Sequence, residues 1–262
     1  SVAWAQFQFQ SVANEFRYIE YLQERVCRPL MDAHLRADFI DPAAPLDTYG
    51  LVYSPFLPAL DESGLRERLY AWIKAGGTWV AGPLTDIRTI DGAKFPHAPF
   101  GSLEEWAGVY CTCELPGEPR DFAVQWADGR TTPGSLWYSG FESRRAPVLA
   151  TYVDGPLEGL AAITETPMGK GRVVMLGTLP PADEMQRLLV QLAAQCEIHP
   201  VCQATPNVLA VPREGDSARE MYTAGNRLGY TGQRGILGRD RSGAVPGFGV
   251  ADRRPDVGAQ AG

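Results

Sequence analysis

A helix that stops on two glycines and turns at once into a strand constrains this chain more than any other feature. Over residues 62–74, Leu65, Leu69, Trp72 and Ile73 form one apolar face, the pattern of an amphipathic helix. Gly76-Gly77 stops it, because glycine tolerates the left-handed backbone that ends helices. Thr78-Trp79-Val80-Ala81 follows as a strand, and Tyr49 to Pro55 reads as an earlier buried strand running into a loop. Upstream, Phe16, Ile19, Leu22, Val26, Leu30 and Ala33 predict a helix over 14–33, with Asn14 as its cap and Pro29 bending its last turn. Ala37 to Ile40 reads as a short strand ended by Asp41-Pro42. Helix, strand, strand, helix, double glycine, strand is the rhythm of a parallel sheet with helices on its faces. Right-handed crossovers then predict an α/β, flavodoxin-like, doubly wound layer structure.

Downstream the pattern changes. Ser102 to Ala107 reads as a short helix capped by Ser102, with Glu104-Glu105 in its first turn. From Cys111 to Tyr152, short alternating stretches separated by Gly and Pro predict an antiparallel insert. Strands follow over 148–152, 161–165 and 172–176, the last two joined by a turn at Met168-Gly169-Lys170-Gly171. Residues 182–195 predict a final amphipathic helix and 208–211 one more strand. Beyond Gly215 the chain is rich in Gly and Arg and poor in large aliphatics. Such a tail buries too little surface to offset its chain entropy, so poor order is expected there. The domain reading is therefore 1–199 for the layered domain and 200–262 for a largely irregular remainder.

A doubly wound sheet invites catalytic and cofactor readings, and the residues support none of them. The loop after Val52 is Ser54-Pro55-Phe56-Leu57-Pro58, without the glycines of a dinucleotide site. Gly169-Lys170-Gly171 lacks the upstream glycine and following Ser/Thr of a phosphate loop, and it precedes a strand. A nucleophile needs exposure at a sharp strand-to-helix turn, and the turn Val80-Ala81-Gly82-Pro83-Leu84 has no Cys or Ser at its apex. Cys111-x-Cys113 with His97 has the wrong spacing for a structural zinc. Nothing nominates a facing carboxylate pair for glycoside cleavage. No catalytic, cofactor or metal residue is expected. Trp126, Trp137 and Tyr138 stand as candidate subunit contacts, with local core as the other reading.

Composition narrows the partners. Across 262 residues the net charge is −7, and an acidic chain without a basic stripe suits neither nucleic acid nor an anionic membrane. No apolar run reaches the ~20 residues of a membrane span. Five scattered cysteines do not look like a disulfide framework, which points to a reducing cytoplasm. The chain opens at Ser1 within what reads as folded material, with no signal-peptide pattern, as a fragment would.

Taken in order, the stretch from Asp38 to Val109, with its Asp-Pro strand end, Leu51-Val52-x-x-Pro55, Gly76-Gly77-Thr78-x-Val80 and short Leu103-to-Val109 helix, resembles the middle domain of glycoside hydrolase family 42 β-galactosidases. Val148 to Leu179, with Gly169-Lys170-Gly171 and Leu176-Gly177-Thr178, is similar to the same family, and the resemblance spans roughly Trp4 to Val211. It implies a trimerisation domain built like a class I glutamine amidotransferase without its nucleophile, followed by the start of a small β domain. It also implies a homotrimer, and a TIM barrel elsewhere in the polypeptide that holds both catalytic glutamates of a retaining enzyme. The other reading is a stand-alone amidotransferase-like enzyme or ligand-binding domain.

Overall fold

The computed structural model describes residues 18–117, 121–202, 209–214, 219–224 and 233–236. The first helical segment, α1, runs through Tyr18–Leu22, Gln23–Cys27 and Arg28–Asp32. Its middle stretch is a π turn, in which the Arg28 N–H donates to the carbonyl of Gln23. The turn sits just before Pro29, which has no N–H to donate and whose ring crowds the carbonyl four residues back. The irregularity expected at Pro29 thus appears as a widened turn, and the expected cap Asn14 lies outside the described residues.

Strand β1 (Leu51–Ser54), helix α2 (Leu65–Ala75) and strand β2 (Thr78–Ala81) follow. Helix α3 (Leu103–Ala107) leads into the antiparallel strands β3 (Val109–Pro116), β4 (Ala123–Trp126), β5 (Thr131–Pro133), β6 (Trp137–Ser143) and β7 (Val148–Tyr152). Strands β8 (Ala161–Met168) and β9 (Gly171–Leu176) form a hairpin, and α4 (Ala182–Gln195) packs beside α1. All nine strands share one mixed sheet in the order β1-β2-β9-β8-β7-β4-β5, with β6 attached to β8 and β3 to β6. Only β1, β2 and β9 are mutually parallel; the insert is antiparallel throughout.

Side chains alternate across the parallel strands, and the sequence fills both faces. Leu51, Val80, Val174 and Leu176 join Val26 and Leu30 of α1 and Met185 and Leu189 of α4 in one core. Trp79, Ala81, Val173 and Met175 join Leu69 and Ile73 of α2 and Leu103 and Trp106 of α3 in the other. Strand β2 is buried at every position because both of its faces are covered.

The double glycine and the Gly-Lys-Gly turn meet in space. The Lys170 N–H donates to the Lys74 carbonyl at 3.0 Å and the Arg172 N–H to that of Gly77 at 3.1 Å. The hairpin turn therefore satisfies carbonyl groups at the end of α2 that no helical N–H can reach. A methyl group on Gly171 would land on the carbonyl oxygens of Gly77 and Ile73.

Two expectations need correction. Residues 37–40 form no strand: Phe39 is 79% exposed, and the segment crosses from Leu35 in one core to Leu46 in the other. Side chains hold it instead, with Tyr49 donating to the Asp38 carboxylate and Arg68 to the carbonyls of Pro42 and Ala44 just beyond the segment. Beyond Gly215 there is regular structure where none was expected. Leu209–Glu214 pairs antiparallel with Arg219–Ala224, and that strand with Gln233–Ile236, in a separate three-stranded sheet. Main-chain pairing needs little of the large-aliphatic content on which the sequence argument relied.

Gly171→Ala should destabilise the chain by about 3 kcal/mol, because the colliding atoms are rigid backbone; urea denaturation followed by circular dichroism checks it. Ala at Gly50, where a Cβ would meet only ordinary contacts at 3.5 Å and beyond, should cost much less.

Candidate functional site

In open α/β sheets, ligands bind outside the carboxyl ends of parallel strands, where the strand order reverses and two loops part. Among the described strands, β1, β2 and β9 follow one another without such a reversal. The loops beyond β1 and β2 do not part; they are bonded to each other. Gly82 N–H donates to Ser54 O at 2.8 Å, Asp86 N–H to Leu57 O at 2.9 Å and Arg88 N–H to Pro58 O at 2.8 Å. The Thr85 hydroxyl bridges them, donating to Ser54 O and accepting from the Leu57 N–H. Gly82 is needed for this closure, since a Cβ there would fall 2.7 Å from the Pro55 Cα.

Leu84 has φ 60° and Asp86 φ 59°, a left-handed backbone uncommon for residues with side chains. In a nucleophile elbow such a turn lifts a reactive group into a cleft. Here Leu84 is buried in the apolar core, and Asp86, 0% exposed, holds the turn in place. Its carboxylate accepts from Arg66 at 2.8 and 3.1 Å, from the Ser102 N–H at 2.6 Å and from the Leu103 N–H at 3.0 Å. Arg66 also donates to Asp61 and to the Ser102 hydroxyl. The first turn of α3 is therefore capped by Asp86, and the expected cap Ser102 makes no capping bond. Its hydroxyl is taken by Arg66, and a carboxylate 16 residues away is the stronger acceptor. Burial pushes the Asp86 carboxyl above its usual range, while Arg66 and the two N–H groups pull the other way.

Cys111 is a poor nucleophile. Cys111 is buried, and desolvation, with Glu114 and Glu104 nearby, pushes its thiol up to about 12. Glu104, expected to serve the start of α3, instead accepts the Cys111 N–H at 2.6 Å. His97 and His199 are exposed and His34 is buried. Among the described residues no three His, Cys, Asp or Glu side chains converge as a metal site would require, and no helix is long and apolar enough to cross a membrane.

The three aromatics singled out from the sequence sit together in the insert. Tyr138 is 0% exposed; its hydroxyl donates towards Asp121 and Gly134 O and accepts from the Phe122 N–H. Trp126, 8% exposed, donates to Thr132 and lies under Arg130. Both turn into the chain's own core, the local-core alternative, which leaves half-buried Trp137 as the one with side-chain surface to offer a neighbour.

Surface the sequence did not single out lies elsewhere. Tyr70 of α2 and Tyr110 of β3 are exposed by 42% and 45%. Two of the sheet's edge strands are blunted. Strand β5 has three residues and ends in Pro133. Strand β3 carries an irregularity between Cys111 and Cys113, ends in Pro116 and has its Cys111 N–H occupied by Glu104, devices that discourage strand addition.

The fold and the closed crevice define an α/β domain in which the loops beyond β1 and β2 are used for packing. The chain belongs to the β-galactosidase trimerisation domain family, whose model matches residues 3–199. β-Galactosidase YesZ of Bacillus subtilis strain 168 is 31% identical over 192 residues, 72% of this chain and 29% of that protein. BgaB of Geobacillus sp. is 27% identical over 203 residues, 78% of this chain and 30% of the relative. The chain thus spans less than a third of the length of these relatives. Among solved structures, a β-galactosidase from Bacillus circulans sp. alkalophilus superposes with a TM-score of 0.77 at 18% identity, covering 85% of this chain and 34% of that one. The β-galactosidase of Halorubrum lacusprofundi gives 0.74 at 22% identity, covering 86% and 32%.

Two outcomes follow. Asp86→Asn keeps shape and tolerates the left-handed backbone, so the loss of charge beside Arg66 alone should cost about 3 kcal/mol in urea denaturation. Alkylation of the native chain at pH 8, mapped by mass spectrometry, should leave Cys111 unmodified until the chain is unfolded.

Proposed function

We propose that this chain is the non-catalytic association domain of a retaining β-galactosidase that hydrolyses terminal β-D-galactosides. The enzyme would work as a homotrimer whose two catalytic glutamates lie on a TIM barrel outside these residues. The observation that carries the reading is the crevice beyond β1 and β2, cross-bonded along its length and filled by Leu84 and the Arg66–Asp86 pair where an enzyme of this layer type needs an opening. The family match over residues 3–199 supports the assignment to a β-galactosidase.

The finer fold reading is a flavodoxin-like, amidotransferase-like layer order, supported by helices on both faces of the parallel strands. We take the layered domain to end near residue 199 and the three-stranded sheet to open a second, small β domain. Trp137 is carried forward as the contact candidate among the three aromatics. Five free cysteines suit a reducing cytoplasm, and the acidic balance suits neither nucleic acid nor anionic membrane.

Sedimentation velocity of the full 262-residue chain, paired with a chromogenic galactoside assay, tests the reading. A trimer without hydrolysis is the expected result. Turnover by this chain, or a well-folded monomer at every accessible concentration, overturns it.

A further inference from the structure

An aspartate followed by glycine carries a reaction of its own. The glycine nitrogen attacks the protonated side-chain carboxyl: the N–Cγ bond forms, a Cγ–O bond breaks, and the hydroxyl leaves as water with the amide proton. Water then opens the five-membered imide. Opening at the side-chain carbonyl returns aspartate. Opening at the main-chain carbonyl leaves isoaspartate, in which the chain runs through the side chain and the α-carboxyl is free. No atoms are gained or lost overall, and no reagent but water is used. Glycine allows the backbone rotation this needs because it has no Cβ.

The sequence has three such steps, Asp91-Gly92, Asp128-Gly129 and Asp154-Gly155, and the fold treats them differently. Asp128 is clamped. The Arg130 guanidinium binds its carboxylate at 2.7 and 2.8 Å, and the Arg130 main-chain N–H adds a bond at 3.2 Å. These bonds hold the Asp128 carboxyl below its usual range, against the protonated form that reacts. Arg130 is fixed in turn by buried Glu184. Asp154 is half-buried and accepts the Ala123 N–H at 2.8 Å. The Phe122 ring packs on Gly155, 2.5 Å from where a Cβ would stand, so rotation there must displace an aromatic ring packed against the core.

Asp91 has neither restraint. It is exposed, and no donor among the described residues holds its carboxylate. It lies in a turn over residues 89–93 closed by three bonds. Gly92 N–H donates to Thr89 O at 2.9 Å, Thr89 N–H to Ala93 O at 2.9 Å, and Ala93 N–H to the Thr89 hydroxyl at 3.2 Å. None of residues 89–93 belongs to either core. Freeing the Gly92 nitrogen therefore breaks local bonds only, an opening from the low end of a protein's stability range. We infer that Asp91-Gly92 is the step at which the folded chain converts to isoaspartate. The altered turn is then a substrate for a methyltransferase that uses S-adenosylmethionine and recognises a free isoaspartyl carboxyl. The inference does not depend on the association reading above.

The test is ageing of the full chain in mildly acidic buffer, followed by trypsin, which releases Thr89–Lys94 with Asp91 as its one acidic residue. Isoaspartate is counted by transfer of labelled methyl groups from S-adenosylmethionine with an isoaspartyl methyltransferase, and placed by electron-transfer fragmentation. The folded chain should carry several times more isoaspartate at Asp91 than at Asp128 or Asp154. In guanidinium chloride the three sites should approach one another, because the Arg130 clamp and the Phe122 packing are gone. Asp91→Glu, which would have to close a larger and slower-forming ring, should lose most of the methyl transfer while its thermal melt stays unchanged. Equal conversion at the three sites in the folded chain, or a larger share at Asp128 or Asp154, overturns the inference. So does a folded chain that stays unmodified at Asp91, whatever the unfolded chain does.

Discussion

The buried carboxylate of Asp86 holds the rest of the layered domain in register. It sits where three pieces of chain meet: α2 through Arg66, the loop beyond β2 that carries Asp86 itself, and the start of α3 through the N–H groups of Ser102 and Leu103. A carboxylate stripped of water is costly unless its lone pairs are filled. Arg66 supplies two donors in a planar fork and the helix start supplies two more, so the arrangement is a charge-assisted network with little room for variation. Removing any partner would leave buried charge uncompensated. The position of α3 over Trp79 and Phe141, and the direction in which β3 leaves it, follow from where this group anchors the helix.

That anchoring bears on why the loops beyond β1 and β2 leave no crevice. A ligand crevice at the end of a parallel sheet exists only if the loops from neighbouring strands stay apart. Here the backbone groups of residues 54–58 and 82–88 satisfy one another, as buried polar groups must. Opening the crevice would mean breaking several main-chain bonds and exposing Leu84. The same closure turns the polar resources of the region inward, so the surface that remains for recognition is the outside of the layers.

What could be read from the sequence was what depends on neighbours a few residues away. The amphipathic face of α2, its double-glycine stop, β2, the β8–β9 turn and the full extent of α4 all follow from short-range pattern. Features set by distant partners were out of reach. Residues 37–40 have strand-like composition, but a strand needs a neighbour to pair with, and side chains of Arg68 and Tyr49 hold that segment instead. Ser102 has the right chemistry for a cap, yet Asp86 wins because charge outcompetes a hydroxyl. Trp126 and Tyr138 looked equally suited to core and contact, since an alternating pattern does not say which face of an insert will be covered. The lack of a nucleophile at the turn after β2 was legible at once, whereas the cross-bonding that closes the turn was not.

The turn at Leu84 also bears on what such a domain would need in order to carry a nucleophile. Its left-handed backbone costs on the order of 1–3 kcal/mol for a residue with a side chain, and the surrounding bonds must supply that energy. In an enzyme the strain is offset by the value of an exposed nucleophile; here it is offset by burying Leu84 in the core and letting Asp86 take its four donors. A thiol placed at Leu84 would meet the conditions that hold Cys111: no adjacent cation or imidazole to favour the thiolate, and desolvation to oppose it. One side chain therefore would not confer reactivity, because a nucleophile needs a solvated opening and these two loops serve as each other's hydrogen-bond partners.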